Sequence, residues 1–187
     1  MKMKTLDMTL IALFAVLNII AGKISLTILA VPFTMQSIVC LLAGLLLGAR
    51  RALLAQALYL LIGLIGLPVF AKGGGLAYVF EPSFGFLIGM LLAGGLVGWI
   101  ADRFDPDHVK LKVWQALAAN LAAQLLIYII GVAYLYMIIN FYFGKSTTLI
   151  QAIQIGMIPY LIFDTMKSVL AAVIGPRLRR LTRNKSS

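Results

Sequence analysis

Cysteine, histidine and acidic side chains are nearly missing from this chain. Its 187 residues hold one Cys, one His and six Asp or Glu. The lone Cys40 lies in an apolar run, so it cannot form an intrachain disulfide, and one thiol makes no metal site. His108 stands in a charged stretch and reads as solvated, not catalytic. No H-E-x-x-H, G-x-S-x-G or P-loop pattern is present, and the string Gly73–Gly75 lacks the Lys–Ser/Thr that a phosphate cradle requires. Hydrolytic chemistry is therefore poorly supported, and no cofactor or metal is expected. Charge itself is scarce: 12% of residues are charged and 62% are hydrophobic, where soluble domains hold about a quarter charged and about half apolar. The long apolar runs leave no room for a soluble domain of ordinary size. The chain reads as an all-α integral membrane protein, a single membrane domain over residues 1–187.

Six segments approach the roughly 17–25 apolar residues that cross a bilayer. They run from about Asp7 to Ile24, Thr34 to Ala49, Ala52 to Phe70, Pro82 to Ala101, Val113 to Phe141, and Pro159 to Gly175, the last with room to extend to Arg180. The second is short and the fifth is long. The first begins near Met1 without a small-residue cleavage motif and is read as a retained helix. Gly156 and Pro159 separate the apolar stretch Thr148–Ile158 from the sixth segment, so it is expected to form a short helix at the membrane surface.

Six crossings put both termini on one side, and basic residues choose the side. With the termini inside, the inner set is Lys2, Lys4, Arg50, Arg51, Arg103, Lys110, Lys112, Arg177, Arg179, Arg180, Arg183 and Lys185, against Lys23, Lys72 and Lys145 outside. Both termini are therefore expected to be cytoplasmic. The net charge of +10 stems from topology and contact with anionic lipid, and no nucleic acid is needed to explain it.

Asp164 and Lys167 stand three apart inside the sixth span. A charge at mid-bilayer costs roughly 2.5–3.5 kcal/mol on insertion scales, so two of them need a reason. They share a helix face and can either satisfy each other as a structural pair or grip a polar solute. Tyr160, four residues before Asp164, lies on the same face. Amides dot the spans as well: Asn18, Gln36, Gln56, Asn120 and Gln124. They can glue helices together or line a pocket. Gly85–Gly89, Ala93 and Ala118–Ala122 suit close helix packing. Ala12, Ala15 and Val16 give the first span a small-residue face. The outer loop Ala71–Glu81 combines glycines with Tyr78 and Phe80, and reads either as a lid over an outward pocket or as a plain connector. No internal repeat is visible, which weakens a secondary-transporter reading.

The order and spacing of several strings carry a resemblance. Pro32-Phe33-Thr34-Met35-Gln36-Ser37 opens the second span, and Leu47-Gly48-Ala49-Arg50-Arg51-Ala52 makes a tight inner turn. Gly66-Leu67-Pro68-Val69-Phe70-Ala71 ends the third span, and Pro82-Ser83-Phe84-Gly85-Phe86-Leu87-Ile88-Gly89 opens the fourth. Asp164-Thr165-Met166-Lys167 lies in the sixth. Across nearly its whole length the chain resembles the BioY family, the biotin-specific substrate-binding (S) components of energy-coupling-factor transporters. The resemblance implies a non-catalytic, six-helix protein of the bacterial cell membrane with a biotin site near the outer face. It also implies partners: a transmembrane coupling protein and two ATP-binding-cassette ATPases. The family's A-x-x-x-A docking pattern is altered here, because Ala12 is followed by Val16. Asp164 and Lys167 are the expected main polar contacts, with Asp164 accepting from the ureido N–H groups. The opposite arrangement, with Lys167 on the ligand carboxylate, stays open. Gln36, Gln56 and Tyr160 are secondary contacts, and Tyr78 and Phe80 close the lid. Another vitamin, or a stand-alone carrier using Asp164 as a proton relay, are the alternatives.

Overall fold

The computed structural model describes residues 4–27, 31–108 and 110–183. Lys2, Lys185 and positions 28–30 of the first outer loop lie outside the described residues, as does the side chain of Arg183. Helices dominate: α1 (Thr5–Lys23), α2 (Gln36–Leu47), α3 (Ala49–Leu64), α4 (Phe84–Phe104), α5 (Val113–Met137), α6 (Leu149–Gly156) and α7 (Leu161–Arg183). Among the described residues, four stretches are long and apolar enough to cross a bilayer: α1, α4, α5 with its π-helical extension through Tyr142, and Leu149–Arg180. The fold is that of an all-helical membrane protein.

α2 and α3 are shorter. Their 12 and 16 residues span about 18 and 24 Å at 1.5 Å per residue, less than the roughly 30 Å hydrocarbon core. An antiparallel ribbon leads into α2, formed by β1 (Ser25–Thr27) and β2 (Pro32–Thr34), with Ser25 opposite Thr34. By sequence alone this segment reads only as an outer loop. α2 and α3 are joined by Gly48 alone, whose φ of +77° suits glycine. A Cβ there would also meet the Asp102 carboxylate at 2.8 Å.

α4 is the central helix and packs on α2, α3 and α5. Glycines allow the approach. Gly85 and Gly89 face Tyr134 and Ile127 of α5, and Gly98 lies against the backbone of Gly48 and Ala49. On α5 the buried small residues are Ala116, Ala119, Ala123 and Gly131, whereas Ala118 and Ala122 face outward. The expected packing pair is thus displaced by one position around that helix. α7 packs on α2 and α5, and α1 packs on α3 and α2. The surface helix Thr148–Ile158 appears as α6, capped by the Thr148 hydroxyl, which accepts from Gln151 N–H at 3.3 Å. α7 continues through Pro176 to Arg183, well beyond Gly175.

One end of the bundle gathers the basic loops. Arg51 at the start of α3 pairs with Asp7 at the start of α1 at 2.7 Å. Arg179, fully buried near the end of α7, donates to Leu45 O at 2.5 Å, Asp102 Oδ1 at 2.8 Å and Asp105 Oδ2 at 3.4 Å. These contacts bring the start of α1, the α2–α3 turn, the α4–α5 connection and the end of α7 to the same end, as expected for the inner side. At the opposite end Lys72 pairs with Glu81 at 3.2 Å.

Candidate functional site

A small cavity of about 50 Å³ opens near the outer end of the bundle. Phe33 and Pro32 of the ribbon wall one side, Phe86 and Met90 of α4 another, and Ile127 of α5 and Gly156 of α6 a third. Polar groups come from Ser37 on α2, Gln124 and Tyr128 on α5, and Asp164 and Lys167 on α7.

These groups converge on one carboxylate. Asp164 Oδ1 accepts from Lys167 Nζ at 2.8 Å and from Ser37 Oγ at 3.2 Å. Asp164 Oδ2 accepts from Tyr128 OH at 2.7 Å and from Gln124 Nε2 at 3.4 Å. Asp164 and Lys167 are 8% and 7% exposed, so the pair is essentially out of solvent. The ammonium is equally committed. Its three donors meet Asp164, Thr34 O at 2.7 Å and Ser37 Oγ at 3.1 Å, and it sits 4.0 Å from the centroid of the Phe33 ring. A buried ion pair is tolerable only when its remaining hydrogen-bond positions are filled, and here they are filled from two helices and the ribbon.

Tyr160 also lines the void, but its hydroxyl donates to Val31 O at 2.5 Å. Its ring lies nearly parallel to that of Phe33, at 6.5 Å. It shapes the wall and holds the ribbon. Gln36 borders a neighbouring void of about 30 Å³ that shares Val31, Pro32, Thr34, Phe86 and Met90 with the first. Its Nε2 donates to Asn18 O at 3.3 Å. Tyr78 is buried and borders the second void as well. Burial lifts its phenol above the ordinary tyrosine range, so it is a neutral hydroxyl.

Three expectations change. Gln56 borders neither void; its Nε2 faces Asn18 Oδ1 at 3.5 Å, so it fastens α3 to α1. Phe80 is 48% exposed and stacks on Tyr142 at 4.7 Å, away from the voids. The loop that bears it forms a 3₁₀ turn over Leu76–Phe80, tied down by Tyr134 OH donating to Val79 O. Ala15 is buried in the core with Tyr59 and Phe70, while Ala12 and Val16 face outward. Packing therefore claims Ala15, and of these three residues only Ala12 and Val16 are exposed. Ser37 and Tyr128 carry no signal in the sequence, because a lone hydroxyl in an apolar run is common; only the fold brings them to Asp164.

The model of the BioY family matches residues 1–184. The chain is 34% identical over 183 residues to a probable biotin transporter BioY of Lysinibacillus sphaericus, covering 98% of this chain and 91% of that protein. The chain belongs to the BioY family. Further relatives within BioY are the biotin transporter of Thermotoga maritima, 34% identical over 90% of this chain and 93% of that one, and a probable one from Pyrococcus horikoshii, 30% identical over 95% and 98%. The fold is shared with a crystallised S-component for biotin from an ECF-type ABC transporter, with a TM-score of 0.81, 24% identity and 95% coverage of both chains.

Proposed function

We propose that this BioY chain is the biotin-binding S component of an energy-coupling-factor transporter in the bacterial cell membrane, and that the Asp164-centred void receives biotin from the outer side. The carrying observation is the distribution of hydrogen-bonding capacity. Lys167 has spent all three donors, so it is poorly placed to take a ligand carboxylate. Asp164 holds two of its four contacts at 3.2 Å or longer, and these can yield to stronger N–H donors. A cyclic urea offers such a donor, and the aromatic and aliphatic walls suit the fused ring behind it. In this reading Asp164 accepts from the ureido group, and Lys167 holds Asp164 in position. Tyr160 and Phe33 wall the ring, while Gln36 and Tyr78 border the second void, where the acyl chain would run. The chain carries no catalysis of its own. A coupling protein and two ATPases supply energy, and Ala12 and Val16 on the outer face of α1 offer the docking surface.

The test is equilibrium binding of biotin to the purified protein in detergent, with Asp164→Asn alongside. Loss of charge-assisted hydrogen bonds should weaken binding roughly 10–100-fold. Undiminished binding in the variant would move the site away from Asp164, and absence of saturable binding in the parent protein would refute biotin as the substrate.

A further inference from the structure

Gln124 carries an unmet demand. It is 6% exposed, lines the main void, and its Oε1 has no hydrogen-bond partner among the described residues. Its Nε2 reaches Asp164 Oδ2 only at 3.4 Å, on an oxygen that Tyr128 OH already holds at 2.7 Å. The amide's orientation is set by charge: a carbonyl oxygen turned toward the carboxylate would be repelled, so Nε2 faces Asp164 and Oε1 is left over. Asn120, one turn away on the same face, also leaves its Oδ1 unpartnered among the described residues. It differs in that its Nδ2 is bonded to Ser168 O at 2.9 Å and that it does not line the void. Asn120 therefore ties α5 to α7, and Gln124 does not.

We propose that Gln124 is the specificity-determining residue for the ligand's head group. Its amide pairs edge to edge with the cyclic urea. Nε2 leaves its weak contact and donates to the ureido carbonyl, and Oε1 accepts from the adjoining N–H. The second ureido N–H goes to Asp164. This assignment rests on the biotin reading above. Its chemistry is selective because an amide edge carries one donor and one acceptor, and matches a urea edge. A cyclic guanidinium offers donors only, so Gln124 Nε2 would meet another N–H and stay unpaired. A buried polar group left without its partner is what lets a site reject a near-isostere.

The experiment measures affinities of biotin, dethiobiotin and 2-iminobiotin for the full chain and for Gln124→Leu, in detergent at neutral pH. Dethiobiotin keeps the cyclic urea, and 2-iminobiotin replaces it with a cyclic guanidinium. The parent protein should favour both ureas over 2-iminobiotin. In Gln124→Leu, biotin and dethiobiotin should weaken together by roughly 10–100-fold, and the preference over 2-iminobiotin should shrink by a similar factor. A second variant, Gln124→Glu, removes the donor and adds an anion, and should shift preference toward 2-iminobiotin. An equal loss for all three ligands would reduce Gln124 to a packing role and overturn the proposal, as would unchanged affinities. Failure of the parent protein to bind either urea would instead remove the biotin reading, and this assignment with it.

Discussion

Replacing Lys167 with methionine isolates the cost of a buried charge. Lys167 Nζ lies 2.8 Å from Asp164, and neither residue is more than 8% exposed. Methionine fills similar space but leaves the carboxylate with only neutral donors: Ser37, Tyr128 and Gln124. Removing one member of a buried pair costs about 3–5 kcal/mol. At roughly 2–4 °C per kcal/mol for a chain of this size, Tm should fall by about 6–20 °C. Thermal unfolding of both proteins in detergent measures it. Asp164→Asn with Lys167→Met removes the charge altogether, and should be more stable than the single variant. A double variant no more stable than Lys167→Met, or a single variant as stable as the parent protein, would refute the argument.

Packing sets two further outcomes. Gly98→Ala places a methyl 2.3 Å from Ala49 N, against backbone that cannot rotate away, so α4 must part from the α2–α3 turn; Tm should drop by several degrees, since overpacking typically costs about 1–3 kcal/mol. On α1, Val16→Trp should leave biotin affinity and Tm intact while abolishing uptake in cells that hold the coupling module, whereas Ala15→Leu should lower Tm; equal effects of the two changes on uptake and Tm would mean that α1 has no separate docking face.

The helical membrane fold was legible because apolar runs of bilayer length and a lopsided distribution of Lys and Arg are one-dimensional signals. Asp164 and Lys167 were legible for the same reason, as charges where charge is costly. Their surroundings were not. Ser37, Tyr128 and Gln124 sit 127, 36 and 40 residues from Asp164, and nothing local says that they meet. Phe80 misled because an aromatic residue in a glycine-rich loop suits a lid, yet the π-helical extension of α5 put Tyr142 within stacking reach. Ala15 misled because a helix face is set by neighbours: small residues on α1 look alike in sequence whether they meet lipid or Tyr59. Arg179 read as one more inner-loop cation, whereas Asp102, Asp105 and Leu45 draw it wholly into the protein.

That arginine has a counterpart at the cavity. Its guanidinium draws the last turns of α2, α4 and α7 together without solvent access, so prising them apart would strand it in apolar surroundings at a cost of about 3–5 kcal/mol. The ribbon that closes the cavity's other end, three residues a strand, is held by a second buried cation, Lys167, on Thr34 O. Each end of the bundle is thus fastened by a cation on a backbone carbonyl, and parting either one uncovers a charge.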